Sequence, residues 1–214
     1  MVVHDEPMRA LLVLLACLLV VAFPASAATV DPQTLVLAKV DLPSGFRVDV
    51  KETGLRTNEL EAKEYPPTRQ LFARWKRTTG YQARYRRGSS VIEARVDLFR
   101  AADGARRMLE WIDLEARKAG FQGQKRAPVR IADAGWMHWV PGGSFTLVIW
   151  RDGRSSSGVF GRGITRERAL ALARAQQRRI AAPRSGRRYK RTSRRRSVET
   201  GGPPGHVARD EAIP

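Results

Sequence analysis

Cysteine is nearly absent from this chain: Cys17 is the only one in 214 residues. It sits inside an apolar leader, so once the leader is removed no thiol remains and no disulfide can form. Histidine is almost as scarce, at positions 4, 138 and 206. His138 and His206 alone cannot furnish a zinc site of the usual kind, and no metal or other cofactor is expected. The phosphate-loop pattern G-x-x-x-x-G-K-[ST] is missing. Gly120-Phe121-Gln122-Gly123 falls at a helix end, not at a helix start, so it is no dinucleotide fingerprint. There is no G-x-S-x-G nucleophile elbow and no internal repeat.

Long apolar runs are also lacking, with one exception. Residues 10–23 read ALLVLLACLLVVAF, preceded by Arg9 and followed by Pro24 and Ala25-Ser26-Ala27. A basic start, a short apolar stretch and an A-x-A exit are the parts of a secretory signal peptide. The run falls short of the roughly 20 residues that span a bilayer. Residues 1–27 are therefore read as a signal, and the protein as secreted or extracytoplasmic, in the cell envelope. Two other readings of this end stay open. Leu14-Leu15-Ala16-Cys17 loosely matches a lipobox, which would make Cys17 a lipid anchor, and the run could also be kept uncleaved.

What the chain has in excess is positive charge. The formal net charge is +18, and it rises to +19 once Asp5, Glu6 and Arg9 leave with the signal. Such a balance favours anionic partners, such as a lipid surface or an envelope polymer. Export argues against nucleic acid, which is not an expected partner.

Residues 28–182 read as a single domain, large enough to bury an apolar core unaided. Asp31-Pro32 opens a short helix, and Phe46 to Val50 alternates like an edge strand. Residues 51–67 are polar and read as a loop. Thr68 caps a helix to about Arg77, stopped by Gly80. Tyr81–Arg86 and Val91–Arg100 form a hairpin whose second strand alternates cleanly. Ile92, Ala94, Val96 and Leu98 mark an apolar face. Arg84, Arg86, Glu93, Arg95 and Asp97 mark a wet one, open to anions. Residues 102–119 carry an apolar stripe at helical spacing, ended by Gly120 as a left-handed C′ residue, with Phe121 packed back on the last turn. Short strands follow at 128–131, 135–140, 145–151 and 155–160, the last two joined at Asp152-Gly153. A helix from Thr165 to about Ile180 closes the domain. The strand at 145–151 is apolar on both faces, as in a central strand covered on both sides. The sum is an α+β fold: an antiparallel sheet of about five to six strands with helices packed against one face.

One histidine invites a catalytic reading. His138 lies between Trp136 and Trp139 on one strand, and a histidine in a Trp-lined cleft can act as a general base. No nucleophile stands beside it. A histidine packed as ordinary core fits the same residues, since catalysis needs a constellation. No catalytic residue is assigned. Trp136, His138 and Trp139 are kept as a candidate pocket, and an extracytoplasmic hydrolase as the alternative function. Residues 183–214 are poor in large apolar side chains and read as a disordered tail. Arg187, Arg188, Lys190, Arg191, Arg194, Arg195 and Arg196 make it a candidate anion-binding segment, each cation gaining about 1 kcal/mol near an anionic surface.

Three segments taken together carry a resemblance: Asp41-Leu42-Pro43-Ser44-Gly45-Phe46, the hairpin and long helix at 81–119, and the 145–160 hairpin followed by Ala169-Leu170-Ala171-Leu172-Ala173-Arg174. Their layout resembles small exported domains of unknown function in actinobacteria and related high-GC bacteria. More distantly it is similar to the PsbP/Mog1-like fold, which also occurs in LpqN-type lipoproteins. The resemblance is one of layout over about 35–180, transfers no site residue, and implies a mostly non-catalytic domain. The reading is thus a non-enzymatic secreted or envelope binding protein with a basic tail.

Overall fold

The computed structural model describes residues 30–199 except Gly143, with side chains described as far as Ala182. Residues 1–29, which include the segment expected to be a signal, and residues 200–214 lie outside the described residues. Two 3-10 turns, Pro32–Leu35 and Lys39–Asp41, open the described chain. Two-residue strands β1 (Arg47–Val48) and β2 (Gly54–Leu55) follow, then helices α1 (Asn58–Glu64) and α2 (Thr68–Trp75). Strands β3 (Arg77–Arg87) and β4 (Ser90–Phe99) lead to helix α3 (Ala102–Lys118). Strands β5 (Lys125–Pro128), β6 (Ala134–Val140), β7 (Phe145–Asp152) and β8 (Ser155–Arg162) precede helix α4 (Arg166–Glu199).

All strands join one antiparallel sheet in the order β1-β3-β4-β8-β7-β6-β5, with β2 also pairing β3. The fold is α+β, as its sequence indicates. Its eight strands exceed the expected number through two-residue pieces too short to show periodicity. The helices do not share one face, which corrects the sequence reading. Alternation along β7 explains why. Val148 and Trp150 point to one side, where Trp150 Nε1 donates to Gln177 of α4 at 2.8 Å. Leu147 and Ile149 point to the other side, towards Met108, Trp111 and Ile112 of α3. Both β7 faces therefore had to be apolar. The α4 side also holds Leu37, whose carbonyl accepts from the Tyr85 hydroxyl at 2.6 Å, and buried Ala169, Leu172 and Ala173. On the α3 side Phe72, Trp75, Phe99, Ala105 and Met108 form a buried cluster.

The segment expected to be a loop contains α1, whose N-cap Thr57 accepts from the Leu60 amide at 3.2 Å. Its polar sequence has no apolar stripe, because ion pairs hold it down. Gly80 does not stop α2. Lys76, with a left-handed φ of +55°, ends that helix, and β3 begins at Arg77. Gly80 lies within β3, where a Cβ would come within 2.6 Å of Asp97 Oδ1. Gly120 has the expected left-handed φ of +58°. Phe121 instead stacks on Phe145, with centroids 4.8 Å apart. The strand placed at 128–131 runs from Lys125 to Pro128. Among the described residues no helix is long and apolar enough to cross a membrane.

Candidate functional site

The α3 side of the sheet carries three rows of side chains set by register. Arg84, Glu93, Phe160, Leu147 and His138 form one row. Gln82, Arg95, Gly158, Ile149 and Trp136 form the next. Asp97 and Ser156 stand opposite each other in the third. Gly158 interrupts this surface, since nothing projects from it. A cleft of about 290 Å³ opens there, near the lower size limit of small-molecule sites of about 300 Å³. Its floor includes Gly158, Ser156 and Ile149, with Glu93, Arg95 and Asp97 along one wall. Met108, Trp111 and Ile112 of α3 line it from above, together with Glu61, Tyr65, Thr68 and Phe72 from α1, α2 and their junction. The Tyr65 and Trp111 rings are 6.3 Å apart.

The charged side chains here do not form the wet face that alternation suggested. Arg77 is fully buried and Asp97 nearly so, at 0% and 2% side-chain exposure. Arg77 donates to Asp97 Oδ1 from Nε at 2.8 Å, to Asn58 Oδ1 at 2.7 Å and to the Arg56 carbonyl at 2.9 Å. Arg95 holds Asp97 Oδ2 at 2.9 Å and Glu61 Oε1 at 3.0 Å. Arg56 closes the network through Glu61 at 2.6 Å and through Glu64. Polar alternation cannot tell a face that meets water from one that meets another set of charges. Here α1 supplies those charges, and their pairing fixes the roof of the cleft. Burial works against ionisation of Asp97, but Arg95 and Arg77 outweigh it and hold its pKa below the ordinary value.

Two groups in the cleft are left out of this pairing. The Ser156 hydroxyl is buried without a hydrogen-bond partner. Glu93 has one cation within 4 Å among the described residues, Arg84 Nη1 at 3.8 Å, too far for a hydrogen bond. Burial raises the Glu93 pKa, with Arg84 and Arg95 pulling the other way. A half-buried carboxylate that lines open volume is a group a ligand can satisfy.

The residues proposed from sequence as a pocket are not brought together. Trp136 and His138 lie on the α3 side, and strand alternation sends Trp139 to the other. Trp139 lines a separate groove of about 820 Å³, rimmed by Arg87, Arg166 and Arg168. His138 is fully buried, and neither cavity touches it. Its Nε2 donates to Asp113 Oδ1 at 2.9 Å, and its Nδ1 accepts from Gln124 Nε2 at 3.0 Å. Gln124 Nε2 also donates to the Ala116 carbonyl at 3.0 Å, which fixes the amide and hence the neutral tautomer. Burial lowers the His138 pKa, with Asp113 partly opposing. Asp113 also takes Arg126 in a two-pronged pair at 2.8 and 2.9 Å. The Arg126 guanidinium lies 3.3 Å from the Trp136 ring centroid. This histidine holds α3 and the segment after it onto β6.

Sequence reasoning missed Asp113, although a signal existed. It sits among Leu109, Ile112 and Ala116 on the stripe that faces the sheet, where an acid needs a partner. The tail cations Arg187, Arg188, Lys190, Arg191, Arg194, Arg195 and Arg196 have side chains outside the described residues. Among the described residues no group of three or more histidine or acidic side chains is placed to hold a metal ion.

No protein family matches the chain, and no curated protein does. Among solved structures, the chain is similar to the extracellular domain of PknH from Mycobacterium tuberculosis. The two are 12% identical with a TM-score of 0.46, over 68% of this chain and 91% of that one.

Proposed function

We propose that this protein is a non-catalytic binding module that works outside the cytoplasmic membrane and holds a small ligand in the cleft above Gly158. The observation that carries this reading is Glu93, a half-buried carboxylate with no hydrogen-bonding cation, lining a cavity walled by aromatic and aliphatic side chains. The apolar leader at 10–23 supports the compartment. The commitment of both His138 nitrogens to neighbouring side chains supports a binding role over hydrolysis. The basic cluster at 187–196 is proposed to associate with an anionic envelope polymer or lipid surface.

Nile red, a neutral dye that brightens in apolar sites, tests the cleft. At Gly158 an added Cβ meets Ile149 at 3.4 Å, ordinary contact, so Gly158→Val can place its side chain in the cavity and take up the space over the floor. The full chain is expected to enhance the dye saturably and Gly158→Val to lose the effect. Equal enhancement in both would reject the cleft as a site. For the tail, sedimentation with anionic vesicles at low salt is expected to fall on deletion of residues 183–214 and on addition of salt. Unchanged sedimentation after the deletion would reject the tail's role.

A further inference from the structure

We infer that the ligand of this cleft is an organic amine: an apolar or aromatic body carrying a protonated nitrogen that reaches Glu93. This rests on the cleft being a binding site and adds the chemistry of what it holds.

The charge of the lining points this way. The whole chain is strongly basic, yet the cleft is lined by three carboxylates, Glu61, Glu93 and Asp97, and one guanidinium, Arg95. Three of these four are spent on each other or on neighbouring arginines, through Asp97–Arg77, Asp97–Arg95, Glu61–Arg56 and Glu61–Arg95. Glu93 remains. A ligand seated over it removes its water, and a buried carboxylate without a partner is expensive. A carboxylate ligand would add repulsion. A neutral hydrocarbon would leave Glu93 stranded. An ammonium supplies the hydrogen-bond donors that Glu93 lacks with Arg84 no nearer than 3.8 Å, in the kind of hydrogen bond that is shortest and strongest.

The walls suit the remainder of such a molecule. Met108, Ile112, Leu147, Ile149 and Phe160 give it apolar contact. Tyr65 and Trp111 add aromatic rings, which attract cations as well as hydrocarbon. A volume of about 290 Å³ limits the body to one or two rings or a short alkyl chain.

The test compares ligands of one shape with different heads. Phenylethyl, naphthylmethyl and hexyl skeletons are each offered as the amine, the alcohol and the carboxylate to the full chain. Binding is followed by the indole N–H signal of Trp111, assigned with Trp111→Phe. Amines are expected to bind at least about tenfold more tightly than the matching alcohols, with the carboxylates weakest. Glu93→Gln is expected to erase the amine preference while leaving alcohol binding in place. Gly158→Val should abolish binding of every member. Retained thermal unfolding of both variants shows that they fold. Alcohols or carboxylates that bind as well as amines would overturn the amine inference and leave the cleft as a site. No binding by any of the nine would overturn both.

Discussion

The α3 side of the sheet holds two polar clusters that differ in one respect. Around His138, Asp113, Gln124 and Arg126 meet one another and both ring nitrogens are used; Gln124 Oε1 is left unpaired, but neither cavity adjoins it. Around Glu93, the deeper charges are equally well paired, but the carboxylate lines a cavity. The first cluster drew attention in the sequence because it contains a histidine between tryptophans. The second was read as an ordinary solvated face. A buried polar cluster closed off from any cavity is a clasp; one with an unmet group beside open volume can receive something. Residue type alone does not separate the two.

Substitutions can break this contrast. The largest effect is expected at Asp97→Ala, which strands the fully buried Arg77. A loss of about 3–5 kcal/mol is expected in denaturant unfolding. Asp113→Asn weakens the clasp and should cost about 1–3 kcal/mol by the same measurement.

The clasp also has a pH signature. Because burial holds the His138 pKa down, the unfolded chain takes up a proton that the folded one resists. Stability is then full above about pH 6.5 and declines as pH falls through the folded value. His138→Gln, which keeps a donor for Asp113 but cannot titrate, should flatten this limb in thermal unfolding followed from pH 8 to 5.

Glu93 carries the opposite sign. Its folded pKa is raised, so the unfolded chain ionises first, at about pH 4.3, and stability is lost as pH rises through the folded value. Glu93→Gln is expected to unfold at a higher temperature than the natural chain at pH 7, with the gap closing below about pH 4. A lower melting temperature at pH 7 would show that Glu93 belongs with the satisfied cluster. The smallest effect is expected at Ser156→Ala. Removing an orphan hydroxyl should leave stability within about 0.5 kcal/mol and amine affinity unchanged.

Much of the fold could be read before any coordinates. The stripe through Ala105, Met108, Leu109, Ile112 and Ala116 marks α3, and alternation from Val91 to Leu98 marks β4. The two-sided apolar character of β7 points to cover on both faces, which α3 and α4 supply. Helix α1 was hidden because Glu61 and Glu64 bind to the fold by charge and not by an apolar stripe. The cleft was hidden for two reasons. Its groups come from β4, β8, α1 and α3, far apart in the chain, and its central element is a missing side chain at Gly158. A glycine in the Ser-Ser-Ser-Gly run reads as a weak strand and gives no hint that space is being kept.

The path of the chain over the cleft adds a further point. The α1–α2 segment leaves the sheet at β2 and returns at β3, and these strands pair with each other through Gly54 with Gln82 and Leu55 with Tyr81. The roof is therefore an excursion whose two ends are fastened together. Such a segment can lift without unthreading any strand, and its closure costs little chain entropy because the ends never part. Occupation of the cleft would therefore be recorded as slowed amide exchange in α1 while the sheet beneath stays unchanged.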